Sequence, residues 1–337
     1  MKDTKTDFKN MREMLESAKT IAIAMHLRPD GDALGTAAAL RTTLLRMKKQ
    51  KVEVFVDGDI PSTLKYIDGV DKFRGTNYKL RSDDRFDLLI IVDTGDAHRL
   101  GFWQQLLGMA EQTIVFDHHL NPSIKADLLV SNPTRASTGE MLYEFLVESE
   151  IRITRPMAEA IYTAVSSDTG CFMFPNTTWH THHTAAELMK LGINIAQINY
   201  ANFRVFNPKT LKGMTEVIRQ IQFTHEGRIA ITYLSNKMVK KYKFDHDERH
   251  RFQRYASDAE GVMVSIFLTE QERDEFNISL RSHGDLSVAD IAAHFGGGGH
   301  KNAAGITMRG RYKDIIKQIT ARAEEEIAKH PAPETGS

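Results

Sequence analysis

The sequence predicts an α/β fold: a parallel sheet flanked by helices, then a helical linker and a smaller second α/β unit. Three observations predict it. Short apolar runs alternate with helical stretches over the first half of the chain. One run, "FDLLIIVD" at 86–93, is apolar almost without a break, as a strand buried on both faces would be. Beyond about residue 210 the pattern restarts with "RIAITYLS", "GVMVSIFLTE" and "EFNISLRS", which read as strands of a second sheet.

The elements follow in order. Residues 7–19 read as an amphipathic helix, and "TIAIAMH" at 20–26 as a short buried strand closed by Pro and Gly. "GDALGTAAALRTTLLRMKK" at 31–49 is helical, with small residues on its first turns. "KVEVFVD" at 51–57, "QTIVFDHH" at 112–119 and "ADLLVSN" at 126–132 are further strands. Helices dominate from about 137 to 220, and the Gly-, Asn- and Pro-punctuated "GINIAQINYANFRVFNPKT" reads as a partly helical connector. Further helices are expected at 287–294 and 312–327. The mixed-charge stretch at 236–255 reads as a solvated helical face, because acids are interspersed among its bases.

Composition narrows the function. A chain of 337 residues, 41% hydrophobic and 26% charged, suits about two soluble domains. The 44 basic and 44 acidic residues cancel, which argues against gripping long nucleic acid and permits a small phosphorylated substrate. The single cysteine, Cys171, forms no intrachain disulfide and no Cys-based zinc site. A reducing cytoplasm fits, and neither a signal peptide nor a membrane span is read from the sequence.

The chemistry lies at the strand ends. His26, Asp30 and Asp32 fall within seven residues at the end of the first strand. The 86–93 strand ends at Asp93, and "FDHHLNP" places Asp117, His118 and His119 at the end of another. In open α/β sheets, ligands bind beyond the carboxyl ends of the strands, so these side chains are expected to converge. Asp168 in "AVSSDTGCF" is expected to join them. Singly, each has a plainer reading: Asp32 suits a helix cap, and Asp93 a turn. Together, so many carboxylates need cations. Oxygen and imidazole ligands favour Mn²⁺, Mg²⁺ or Co²⁺, and the number of ligands suits two ions sharing a carboxylate, the arrangement that hydrolyses phosphate esters. In the second unit, "SLRSHGDLSVADIAAHFGGGGHKNAAG" at 279–305 carries four consecutive glycines, Gly296 to Gly299, followed by His300 and Lys301. Freed backbone N–H groups there could cradle an anion, and Arg281 and Ser282 could fork onto a phosphate.

"MHLRPDGDALG", "VDTGDAHRLG", "DHH", "SSDTG" and "GGGGHKNAAG" occur in the order seen in DHH/DHHA1 phosphoesterases, and the chain resembles the two-domain NrnA-type nano-RNases from about residue 15 to 325. The resemblance implies a DHH domain over 1–190, a linker over 191–212, a DHHA1 domain over 213–330 and an active-site cleft between the domains; the last residues, 331–337, are expected to be a disordered tail. It implies one Mn²⁺ on His26, Asp30 and Asp93, and another on Asp32, Asp93, His118 and Asp168, with Asp93 bridging. Mg²⁺ or Co²⁺ are the alternative ions. Asp93, His118 and His119 are the implied catalytic residues. His119, Arg281, Ser282, Gly297, Gly298, Gly299 and His300 are the implied substrate contacts, and Asp117 is expected to hold the imidazoles. "HTHH" at 180–183 reads as a surface helix start, Cys171 as a packing residue and Arg99 as a structural ion-pair partner.

The expected reaction is hydrolysis of short oligoribonucleotides, foremost linear dinucleotides such as pGpG or pApA, to 5′-mononucleotides, with no covalent intermediate. The alternative is a pAp phosphatase or cyclic-dinucleotide phosphodiesterase. A non-catalytic nucleotide sensor and an inorganic pyrophosphatase are more remote. No long nucleic acid or membrane partner is expected, and a homodimer is permitted.

Overall fold

The structure, a computed structural model, describes residues 4–81, 83–119, 122–204, 208–244, 246–272 and 274–330. It divides into two compact units, Met1–Val205 and Phe206–Ser337. The tail expected over 331–337 lies outside the described residues, as do 205–207 of the expected linker.

The first unit opens with helix α1 (Thr4–Ser17) and strand β1 (Thr20–Met25), then α2 (Gly31–Arg46), β2 (Lys51–Phe55) and β3 (Phe86–Val92). A 3₁₀ segment, Ala97–Gly108, leads to β4 (Ala110–Asp117) and β5 (Leu128–Ser131). Four helices follow: α3 (Thr138–Glu148), α4 (Arg155–Asp168), α5 (Trp179–Met189) and α6 (Ile195–Arg204). The five strands are all parallel, in the order β2-β1-β3-β4-β5. Alternate residues of each strand feed opposite faces. Ile21, Ile23, Leu88, Ile90, Val92 and Phe116 pack under α1 to α4, while Ala22, Ala24, Leu89, Ile91 and Val115 meet Phe55 and Trp103 on the other face. Burial on both faces explains the unbroken apolar runs, each large aliphatic contributing about 1.5–3 kcal/mol.

The second unit begins with α7 (Pro208–Arg219), β6 (Gln222–Thr224), β7 (Ile229–Leu234), α8 (Asn236–Tyr242) and α9 (His246–Ser257). It continues with β8 (Val264–Glu272), β9 (Glu275–Ser282), α10 (Val288–His294), β10 (Gly298–His300), β11 (Ala303–Arg309) and α11 (Tyr312–Ala328). Its sheet runs β10-β11-β9-β8-β7-β6, with only the β7–β8 pair parallel.

The stretch read as a partly helical connector is partly helical: beyond Asn194, α6 buries Ile198 in the first core, and α7 buries Val217 in the second unit. One part differs from expectation. The glycine run, expected as a loop, enters strand β10, which pairs with the unforeseen β11. Glycine carries no side-chain pattern, so a period-2 strand signal is invisible there.

Candidate active site

Strand order reverses between β1 and β3, because the chain turns outward to β2 before returning to β3. A crevice beyond the carboxyl ends of these two strands is the expected ligand position in such a sheet. The strands end level, with Met25 opposite Val92, so His26 and Asp93 emerge side by side, both buried. Asp93 has a positive φ of 59°, a conformation uncommon outside glycine. Its backbone N–H donates to the Phe116 carbonyl of β4 at 3.1 Å, which brings Asp117, His118 and His119 alongside.

Close helix packing supplies the rest. A side chain at Gly31 would meet Ser167 at 2.7 Å, one at Gly35 would strike the Ala160 carbonyl, and one at Gly139 would strike Ala164. These glycines let α2, α3 and α4 approach backbone to backbone, which sets Asp32 of α2 beside the start of α3 and near Asp168 at the end of α4. Asp32 is fully buried and accepts the N–H groups of Thr138 and Gly139 at 2.7 and 2.8 Å and the Thr36 hydroxyl at 3.2 Å. A carboxylate facing the first turn of a helix gains from its dipole. The cap of α2 is Asp30 rather than Asp32: Asp30 Oδ1 accepts from the backbones of Asp32 and Ala33 at 3.0 and 3.1 Å.

Three groups of possible metal ligands result: His26, Asp30 and Asp93; Asp32, His118 and Asp168; and Asp93, His118 and His119, with the ligand atoms of each group within 4.8 Å of one another. His26 Nε2 lies 3.3 Å from Asp93 Oδ2 and 3.7 Å from Asp30 Oδ1. His118 Nε2 lies 3.1 Å from Asp168 Oδ2, 3.7 Å from Asp93 Oδ1 and 3.9 Å from Asp32 Oδ2. Both rings turn Nδ1 to a backbone carbonyl, His26 to Leu27 at 3.0 Å and His118 to Arg135 at 3.2 Å. With Nδ1–H donating, Nε2 keeps the lone pair a metal needs.

The electrostatics match. Burial, then the charge of Asp32, pushes Asp93 well above the usual carboxylate range, and the same two causes push Asp168 up to about 7. Burial raises Asp32 as well. Burial opposes charge on His26 and His118, yet the carboxylates around them prevail and push both up to about 10. Asp30 also works against burial, but His26 holds it down to about 2. His118 Nε2 is buried without a hydrogen-bond partner. Crowded acids, imidazoles aimed at them and an orphaned ring nitrogen fit divalent cations held by oxygen and nitrogen.

Asp117 is buried and stands behind the cluster. Its Oδ1 accepts from His119 at Nδ1 (2.7 Å) and at the backbone (3.2 Å), and these bonds outweigh burial and keep its carboxyl low. "HTHH" lies at the start of α5, where Thr178 and Thr181 form a capping box. Arg99 is exposed and makes no ion pair among the described residues; its backbone carbonyl instead accepts from Leu27 at 2.6 Å. Sequence reasoning missed Thr138, whose hydroxyl donates to Asp93 at 3.1 Å, and Glu140, buried behind it. Ser137-x-x-Glu140 is a readable capping signal, but that signal announces a helix start and not its neighbour.

The other expected contacts lie in the second unit. Arg281 of β9 stands opposite Ala303 of β11, which stands opposite His300 of β10. Its guanidinium is lowered by burial, donates to the Leu280 carbonyl at 3.0 Å and has no carboxylate partner among the described residues. Ser282 is buried, its hydroxyl donating to the Leu286 carbonyl at 2.7 Å and accepting from Asn302 at 3.1 Å. Gly297 and Gly299 face strand backbone, whereas Gly298 faces open space and His300 is exposed.

Comparison with known proteins agrees with this division. Residues 20–165 match the DHH family, N-terminal domain, and residues 230–329 match the DHHA1 domain. A bifunctional oligoribonuclease and PAP phosphatase NrnA of Thermus thermophilus is 28% identical, covering 96% of both chains, and its Bacillus subtilis counterpart is 26% identical over 86% of this chain and 89% of that one. An exopolyphosphatase-related protein from Bacteroides fragilis has the same fold, with a TM-score of 0.86 at 24% identity over 95% of this chain and 96% of that one. RecJ from Thermus thermophilus, solved with Mn²⁺, shares it more loosely, with a TM-score of 0.54 at 14% identity, over 99% of this chain and 56% of that one. The first matched region holds His26, Asp30, Asp32, Asp93, Asp117, His118 and His119, with Asp168 just beyond it, and the second holds the glycine-rich hairpin, so the chain carries a DHH-family N-terminal domain and a DHHA1 domain.

Proposed function

We propose that this enzyme hydrolyses the phosphodiester bond of very short oligoribonucleotides, foremost linear dinucleotides such as pGpG and pApA, releasing 5′-mononucleotides. The observation that carries this is the pair of ligand groups, His26–Asp30–Asp93 and Asp32–His118–Asp168, set side by side with Asp93 Oδ1 3.7 Å from His118. His26, Asp30 and Asp93 would hold one divalent ion, and Asp32, Asp93, His118 and Asp168 the other, with Mn²⁺ as the first choice and Mg²⁺ or Co²⁺ behind it. Such ions supply positive charge to phosphoryl oxygens and make water at the site more acidic.

The chain's own groups do the rest. Asp117 fixes the His119 ring through Nδ1, which leaves Nε2 for a phosphoryl oxygen. The first unit is then the catalytic domain and the second the substrate domain. In the second, Arg281 supplies charge to the terminal phosphate. A desolvated guanidinium without an acid partner is costly unless an anion joins it. His300 and the open face of Gly298 would lie against the same nucleotide. Among the described residues no helix is long and apolar enough to cross a membrane. The reading includes a cytoplasmic location and permits a homodimer, which sedimentation would test.

The names of the relatives couple oligoribonuclease with PAP phosphatase, so pAp is the second substrate. The test is hydrolysis of labelled di- to heptaribonucleotides, pAp and cyclic dinucleotides with Mn²⁺, with EDTA as control. Fast EDTA-sensitive cleavage of the dinucleotides is expected. Turnover of pAp or cyclic substrates alone would replace the reading with its alternative. No turnover with metal bound would leave a nucleotide sensor. Arg281→Met should raise KM for pApA about 10- to 100-fold.

A further inference from the structure

The segment after Asp168 is held rigidly and yet displays apolar side chains. Gly170, Cys171 and Phe172 all have positive φ, at 55°, 60° and 65°. Two of the three are not glycine, and that conformation costs about 1–2 kcal/mol per residue for an L side chain. The backbone is nonetheless well satisfied. Cys171 donates to the Ser166 carbonyl at 2.8 Å, Phe172 to the Thr169 hydroxyl at 3.1 Å, and Met173 and Phe174 both to the Thr169 carbonyl at 2.9 and 3.0 Å. Asn176 clamps the far side, its amide donating to the Ala136 and Asp168 carbonyls at 3.1 Å each. Phe172 turns inward and stacks on His182 at 5.3 Å between centroids.

Phe174 does the opposite. Its ring lies against Gly170, where an added Cβ would be 2.5 Å from the ring carbons, and it is still 53% exposed. Met173 beside it is 59% exposed. This fixes an aromatic ring against Gly170, two residues beyond Asp168, with a flat apolar face left to solvent on which another flat group can stack. Asp168, two residues before the glycine on which the ring rests, belongs to the candidate metal cluster, which would hold a phosphate, and the flat apolar group joined to a phosphate through a ribose is a nucleobase.

We propose that Phe174, with Met173 at its edge, is the platform on which a nucleobase of the substrate stacks when the scissile phosphate lies at the Asp168 end of the cluster. The inference rests on the reading under Proposed function. Base stacking on an aromatic side chain tolerates any base, so the platform selects for the presence of a nucleoside and not for its sequence.

Steady-state kinetics with pApA and its two analogues, each lacking one adenine, test it in wild type, Phe174→Ala, Phe174→Leu and Phe174→Tyr. In wild type, loss of the stacked base should lower kcat/KM about 5- to 150-fold, mainly through KM. Phe174→Ala should show that loss on intact pApA and no further loss on the analogue. Phe174→Leu, which keeps apolar volume over Gly170, should behave like Phe174→Ala, and Phe174→Tyr should restore wild-type discrimination. A purely structural ring would not produce this dependence on the base. If the Ala and Leu variants cleave pApA like wild type, or discriminate between pApA and the analogues as wild type does, stacking is overturned and the proposed reaction stands. If wild type cleaves no dinucleotide, both fall.

Discussion

Nδ1 of His118 sits 3.2 Å from the carbonyl oxygen of Arg135. That carbonyl is placed by the turn leading into α3, and the turn is tied by Glu140, whose Oε2 accepts from Ala136 N–H at 2.8 Å and from the Thr181 hydroxyl at 3.3 Å. Glu140 is fully buried, its Oε1 has no partner, and burial raises its carboxyl. It acts on the cluster through the backbone, as a positioning residue.

Removing that support should loosen His118 without altering any of the candidate ligands. Glu140→Ala should weaken Mn²⁺ binding about 10- to 100-fold, the usual cost of losing a group behind a metal ligand. Glu140→Gln keeps an acceptor for both donors and should lose less. Titration calorimetry with Mn²⁺ reads the difference, and equal affinity in all three proteins would refute the link.

Asp93 belongs to two of the three candidate ligand groups, and burial and the charge of Asp32 push its carboxyl well above the usual range. Asparagine has nearly the same shape, tolerates positive φ and carries no charge. Asp93→Asn should therefore fold well and melt higher than wild type in EDTA, because it removes like-charge repulsion. Its dinucleotide turnover should fall at least about 1,000-fold, if the ions supply several kcal/mol to the reaction. Melting curves and a hydrolysis assay check both halves. A variant that keeps activity would sink the shared-ligand assignment.

The same shifts set a pH dependence. In an unfolded chain Asp168 loses its proton near 3.8, whereas in the fold it keeps it to about 7, so unfolding releases a proton between these values and stability falls as pH rises. His26 and His118, raised from 6.5 to about 10, stabilise fully below 6.5 and lose that contribution as pH climbs through 10. Metal-free protein should thus melt progressively lower from pH 5 to 9. Divalent ions compete with those same protons, so their stabilisation should grow over the same range. At Mn²⁺ near 100 times its Kd the gain should be about 5–10 °C at pH 8.5 and smaller at pH 5.5. Scanning fluorimetry with and without EDTA reads it, and a gap that narrows with pH would contradict the proton count.

Much of the candidate cluster was legible because its acids and imidazoles sit where strand ends put them. His26, Asp93 and His118 follow continuous apolar runs, and such runs announce buried parallel strands whose ends meet. Which acid caps α2 was not legible, since Asp30 and Asp32 both suit a cap; only the approach of Thr138 and Gly139 decides that Asp32 is taken. Arg99 could not be read either, because an ion pair depends on what the fold brings near. The hairpin of β10 and β11 was hidden for a different reason: glycine shows no alternation, and Gly298 pairs with Gly305 across it.

That hairpin separates glycines the fold needs from one it does not. A side chain at Gly297 would strike the Gly305 carbonyl, and one at Gly299, where φ is 150°, would strike the Ala303 carbonyl. Strand backbone cannot move aside cheaply, so Gly297→Ala and Gly299→Ala should each destabilise the second unit, by about 1–3 kcal/mol. Gly296, with φ of 75°, would resist replacement through strain alone. Gly298 has nothing within 4 Å of its missing side chain and no positive φ, so neither packing nor backbone geometry calls for glycine there. If a substrate approaches the backbone at this point, Gly298→Ala should leave the melting temperature within about 1–2 °C of wild type and still raise KM for pApA. Denaturation and kinetics on the three variants decide it. A Gly298→Ala protein with wild-type KM would remove the hairpin from the substrate's path and leave Arg281 as the anion-binding group of the second unit.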